Sequence, residues 1–119
     1  MRRVMVVDDA AVMRLILSKI FVEAGYEVVA EATTGNEAVI KYQQFKPDLV
    51  TMDITMPDMN GLSALKLIKK IDPDAKIIMC SAMGQQRLVL EALEAGALSF
   101  VVKPFDGQQV IEVVRKVFV

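Results

Sequence analysis

The sequence predicts an α/β protein with a doubly wound, five-stranded parallel sheet, and three observations carry that prediction. Five short β-rich runs alternate with five stretches of helical period along 119 residues. The runs are apolar at nearly every position, as strands covered on both faces are. A chain of this length with 54% hydrophobic residues suits one compact domain spanning 1–119. Parallel neighbours need helical crossovers, and right-handed crossovers place helices on both sides of the sheet.

The elements follow in order. VMVVD at 4–8 is the first strand, and a helix over about 10–24 follows it. That helix carries Val12, Leu15, Ile16, Ile20 and Phe21 as an apolar stripe expected to face the sheet, and Gly25 stops it. EVVAE at 27–31 is the second strand, and its helix, about 35–45, ends before Pro47. DLVTMD at 48–53 precedes a helix over about 61–71, closed by Asp72-Pro73. KIIMCS at 76–81 precedes a helix over about 85–95 that ends at Gly96. SFVVK at 99–103 and a helix over about 107–118 complete the fifth unit. No segment reads as a linker or a low-complexity tail.

Composition excludes several functions. Fourteen basic and 15 acidic residues give a net charge of −1, so no global positive field gathers nucleic acid or anionic lipid. The single Cys80 rules out an internal disulfide and a cysteine-only zinc site, and fits a reducing compartment. The chain has no histidine, which removes imidazole acid/base chemistry, His metal ligation and a role as phosphohistidine donor. The start, MRRVMVVDDAAVMR, is neither a signal-peptide core nor a membrane span, so a soluble cytoplasmic protein is expected.

In such sheets ligands bind beyond the carboxyl ends of the strands. Strand one ends in Asp8-Asp9, strand three in Asp53, strand four in Ser81 and strand five in Lys103 before Pro104. Three carboxylates beside one ammonium repel one another without a counter-ion. Oxygen-only donors favour Mg²⁺, which pairs naturally with phosphate chemistry. A carboxylate can act as the nucleophile and form an aspartyl phosphate while metal and lysine offset the charge, and Asp53 is the best candidate.

VDDA after strand one, MDITMPDMNG around Asp53, CSA closing strand four and VVKPF after strand five together resemble a response-regulator receiver domain over essentially the whole chain. Four motifs in order, each at its own strand end, make the resemblance specific. It implies a (βα)5 flavodoxin-like fold. The expected strand order, 2-1-3-4-5, is taken over from known sheets of this class, a chemotaxis response regulator among them. The resemblance also implies that Asp53 is the phosphoacceptor, that Asp9 and Asp53 ligate Mg²⁺ directly and Asp8 through water, and that the Thr55 backbone carbonyl is another ligand. Lys103 would pair with the phosphoryl oxygens. Ser81 would donate its hydroxyl to the aspartyl phosphate and draw the strand-four loop inward. Phe100 matches an aromatic position that turns inward with that hydroxyl; it lacks the phenol OH of many chemotaxis members, so its switching rests on packing. Thr55 and Met83 match positions that tune phosphate lifetime, and an apolar Met83 cannot orient an attacking water, so slow to moderate autodephosphorylation is expected.

The segment CSAMGQQRLVLEALEAGALSFVVKPF is similar to free-standing chemotaxis regulators that signal to a flagellar motor. The implied partners are a histidine kinase as phosphodonor, a flagellar motor switch protein or another protein target, and a phosphatase. Nucleic acid and membrane are not expected as partners, a monomer is expected, and the chain is read as a switch rather than a turnover enzyme. A phosphorelay intermediate and an excised receiver of a larger regulator are the alternatives.

Plainer readings apply to some of these residues. Asp9 could cap the first helix, Ser81 could start the fourth, and Phe100 could be core. Asn60-Gly61 reads as an ordinary turn, Met5, Met52, Met56, Met79 and Met83 as fillers of the core or of pocket-adjacent loops, Cys80 as buried and inert, and Glu91 and Glu94 as solvated. A phosphohydrolase of haloacid-dehalogenase type would need a D-x-D pattern where Asp8 and Asp9 are adjacent. A flavin carrier would need a phosphate cradle where this chain places two anions.

Overall fold

A computed structural model describes residues 1–119. The element order is β1 (Arg3–Val7), α1 (Ala11–Glu23), β2 (Glu27–Ala32), α2 (Gly35–Phe45), β3 (Leu49–Asp53), α3 (Gly61–Ile71), β4 (Ile77–Ser81), α4 (Gln86–Glu94), β5 (Ser99–Val102) and α5 (Gly107–Val117). The strands form one parallel sheet in the order β2-β1-β3-β4-β5, so the predicted fold class and strand order are both borne out.

Strand side chains alternate between the two faces, and each face packs its own helices. Met5, Val7, Val50, Met52, Ile77 and Met79 form one core, against Ala38 and Tyr42 of α2, Leu65 and Ile68 of α3, and Val89 of α4. On the other face Val4, Val6, Leu49, Ile78, Cys80 and Val101 pack against Leu17 and Phe21 of α1 and Val110 and Val114 of α5. Each Val, Leu, Ile, Met or Phe among them that is removed wholly from water contributes about 1.5–3 kcal/mol before chain entropy is counted.

The α1 stripe differs from expectation. Leu17 and Phe21 are the buried residues of the helix and Ile20 packs beside them, whereas Val12 and Leu15 are 61% and 69% exposed and Ile16 is also exposed. An almost uniformly apolar sequence, AVMRLILSKIFVE, gives no sharp angular contrast, so the sheet selects the face. No helix is long and apolar enough to cross a membrane.

Three of the five helices start at a capping side chain. The Thr34 hydroxyl accepts from Glu37 N at 3.0 Å, the Asn60 side chain from Ser63 N at 2.8 Å, and Asp106 from Gln108 N at 3.0 Å. Sheet register then sets the site. Val7 stands opposite Met52, which brings the next residues, Asp8 and Asp53, side by side where the strand order reverses.

Candidate functional site

Asp8 is completely buried at the end of β1, and its backbone N–H donates to the Ala32 carbonyl at 3.1 Å. Its Oδ1 accepts from Ala10 N at 2.9 Å, and its Oδ2 faces Lys103 Nζ at 2.8 Å as an ion pair. Asp53 closes β3 and is 6% exposed. Its Oδ1 lies 3.3 Å from the same ammonium. The Lys103 backbone N–H donates to the Ser81 carbonyl at 2.8 Å, so the β4–β5 ladder fixes where the lysine reaches from.

Asp9 is exposed and caps nothing, because Ala10 occupies the cap of α1 without any side-chain hydrogen bond. Oxygens of Asp8, Asp9 and Asp53 lie within 4.8 Å of one another. Burial, and then the charges of Asp8 and Asp9, push the Asp53 carboxyl above the usual range, against the opposing pull of Lys103. Burial disfavours the Lys103 ammonium, but Asp8 and Asp53 outweigh it and hold its pKa above the ordinary value. Three carboxylates against one ammonium leave the cluster net negative. Hard oxygen donors in that state suit Mg²⁺, with Asp9 on the solvent side as the open edge.

Ser81 is 2% exposed at the end of β4, and Phe100 on β5 is 40% exposed at the rim of a cavity of about 350 Å³. The cavity lies between α4 and the sheet and is lined by Ser81, Val89, Leu90, Leu93 and Val102 besides Phe100. Phe100 therefore faces outward and is not core. Met5, Met52, Met56 and Met79 are buried as expected, whereas Met83 is 84% exposed on the cavity rim. Cys80 is buried with its thiol pKa raised by desolvation, which makes it inert, and Glu91 and Glu94 are exposed.

Four residues near the site carry roles that the sequence reading missed. Gly61 is more than a turn residue: its N–H donates to the Ile54 carbonyl at 2.6 Å, and a Cβ there would collide with the Asp53 carbonyl. Glycine at the first helical position, directly after an Asn cap, was the available signal, because glycine is enriched after helices rather than at their first turn. The Asp58 carboxylate accepts from Gly35 N at 3.0 Å, Asn36 N at 3.1 Å and Asn36 Nδ2 at 2.7 Å, which ties the loop after Asp53 to the start of α2. The Arg14 guanidinium donates to the Asp8 carbonyl at 2.8 Å and pairs with Glu31 at 3.1 Å. Gln85 bridges two loops through Thr55 and Ala82. None of these three partnerships has a sequence signature.

Known proteins are similar to this chain in sequence and in fold. The response regulator receiver domain family matches residues 4–115. The chemotaxis protein CheY of Thermotoga maritima is 62% identical over 116 residues, covering 98% of this chain and 97% of that protein. Its Bacillus subtilis counterpart is 58% identical, covering 96% and 95%. The crystal structure of a CheX–CheY–BeF3–Mg²⁺ complex from Borrelia burgdorferi superposes with a TM-score of 0.95 at 42% identity, covering 99% of this chain and 90% of that one. With its doubly wound sheet and its acidic cluster at the switch point, the chain belongs to the response-regulator receiver domain family and is closely related to the CheY chemotaxis proteins.

Proposed function

We propose that the chain, as a single receiver domain over 1–119, is the phospho-accepting switch of a two-component system and takes its phosphoryl group on Asp53. The observation that carries this reading is the placement of a nearly buried carboxylate 3.3 Å from Lys103 Nζ and within 4.8 Å of oxygens of Asp8 and Asp9. An Asp53 oxygen attacks the phosphorus of a kinase phosphohistidine. The O–P bond forms as the P–N bond breaks, and the imidazole leaves with the electron pair, neutral when its second nitrogen carries the proton. Asp8, Asp9, Asp53 and the Thr55 carbonyl would hold Mg²⁺, which supplies charge neutralisation for the transferring group. Lys103, pinned by Asp8, orients the acceptor and meets the incoming negative charge. Asp8 anchors that lysine through a fully buried carboxylate, which limits its freedom before the donor arrives.

The Ser81 hydroxyl donates to the aspartyl phosphate and draws the β4–α4 loop inward, and Phe100 follows into the cavity beside it. The face around α4 and β5 thereby changes shape and its affinity for a target, a population shift between two packings. The close CheY relatives support a chemotaxis output, with a flagellar motor switch protein as the target, from a monomer in the cytoplasm. A phosphatase partner would end the signal.

An amide-shift NMR titration tests the reading, with Mg²⁺ first and then beryllofluoride as phosphoryl mimic. The expected result is a response in wild type that spreads from Asp53 through Ser81 to Phe100, and none to beryllofluoride in Asp53→Asn. Silence at Asp8, Asp9 and Asp53 in wild type would refute it.

A further inference from the structure

The β4–α4 loop, Ala82 to Gln85, is joined to the loop after Asp53 by one side chain. Gln85 Oε1 accepts from Ala82 N at 2.7 Å, and Gln85 Nε2 donates to Thr55 Oγ1 at 2.7 Å. The orientation of the carboxamide is fixed by chemistry, because a peptide N–H can only donate and must face the oxygen. Gly84, at φ 90°, turns the chain so that Gln85 reaches back over Ala82. Gln85 occupies the cap position of α4 but makes no side-chain cap bond to that helix. Both ends of its carboxamide are thus engaged between loops, next to Ser81 on one side and two residues beyond Asp53 on the other. Ala82, Met83 and Gly84 are exposed, so packing restrains the loop little, and the loop forms one wall of the cavity beside Phe100.

We infer that the Gln85 carboxamide is a latch that holds the β4–α4 loop in its resting position by tying Ala82 to Thr55, and that it opens when Ser81 moves toward a phosphoryl group on Asp53. The inference rests on the reading of Asp53 and Ser81 given above. Ala82 follows Ser81 directly, so drawing Ser81 inward displaces the Ala82 N–H. A hydrogen bond of this length does not survive a displacement of about 1 Å. The latch therefore stabilises the resting form alone. Removing it lowers the cost of reaching the active form and tightens the apparent affinity for anything that binds that form.

The test is the beryllofluoride midpoint of the Mg²⁺-loaded protein, read by NMR. Gln85→Ala is expected to bind beryllofluoride about fivefold more tightly than wild type, the effect of losing the net worth of one ordinary hydrogen bond. Thr55→Val, which removes the hydroxyl but not the carbonyl, is expected to shift the midpoint in the same direction by less, and to add little in the Gln85→Ala background. An unchanged or weakened affinity in Gln85→Ala overturns the latch. A wild type blind to beryllofluoride instead overturns the acceptor reading. Hydrogen exchange at the Ala82 amide in the metal-free protein reads the latch without any mimic: exchange is expected to accelerate in Gln85→Ala, and equal rates overturn the proposal.

Discussion

Substituting Gly61 separates steric crowding from backbone conformation. A Cβ at this position would overlap the Asp53 carbonyl oxygen and stand 2.9 Å from the Asp53 carbonyl carbon and 3.0 Å from Ile54 Cα. All three neighbours are backbone, so no side chain can turn aside. The positive-φ glycines are Gly25, Gly84 and Gly96, so conformation alone does not demand glycine at 61. Overpacking costs about 1–3 kcal/mol, and rigid neighbours favour the upper end. Displacing α3 also lengthens the 2.6 Å bond from Gly61 N to the Ile54 carbonyl, at a further cost of about 1 kcal/mol. Alanine returns at most about 1 kcal/mol through helix propensity and a less flexible unfolded chain. The expected net loss for Gly61→Ala is about 2–3 kcal/mol. Gly25→Ala is the control: its Cβ meets nothing within 4 Å, so only the φ of 91° opposes it, at about 1–2 kcal/mol. Urea unfolding of the three proteins measures both losses, and Mg²⁺ titration is expected to weaken only in Gly61→Ala, because the displaced backbone carries Asp53. A Gly61→Ala protein within about 0.5 kcal/mol of wild type would refute the crowding argument, since surface changes lie in that range.

Magnesium should stabilise the fold by mass action, about 2.7 kcal/mol at a hundredfold excess over its dissociation constant, and EDTA should reverse it in thermal melts. Asp9→Asn should stabilise the metal-free protein by about 1 kcal/mol, because one charge leaves a cluster whose oxygens lie within 4.8 Å of each other, and should abolish most of the Mg²⁺ effect. Equal Mg²⁺ stabilisation in both proteins would remove Asp9 from the ligand set. Tyr42 donates to Asp72 Oδ2 at 2.7 Å and lowers that carboxyl's pKa. The stability this provides is complete above the unfolded carboxylate pKa of about 4 and is lost as the pH falls through the lower folded value. Tyr42→Phe should therefore cost about 1 kcal/mol at neutral pH and flatten the acid limb of stability against pH; a parallel curve would show that the pair is not linked. Met83→Glu should shorten the aspartyl-phosphate half-life severalfold in a decay assay, and an unchanged half-life would argue against a role for this side chain.

The element order was legible because the apolar strand runs and their breakers are local signals. Gly25, Pro47, Pro73 and Gly96 act within a few residues of the chain they interrupt, and the strand ends at Asp8, Asp53, Ser81 and Lys103 could be matched to one sheet edge by their order alone. The α1 face was not legible, because the helix is apolar almost all round and only contact with the sheet selects Leu17 and Phe21 over Val12 and Leu15. The role of Asp58 was not legible, since its partners Gly35 and Asn36 lie more than twenty residues away and bind it largely through backbone N–H groups of a kind that nearly every residue carries.

By itself the sequence determined the fold class, the five strand ends and the residue types that make an acidic, oxygen-donor cluster with one lysine, because periodicity and side-chain chemistry are written residue by residue. Tertiary structure alone decided that Lys103 bridges Asp8 and Asp53, that Gly61 must lack a side chain to let α3 reach the Asp53 carbonyl, and that Gln85 joins the two loops. Those facts depend on distances of a few ångströms between segments remote in the chain, which sheet register and helix docking fix only once the whole core has packed.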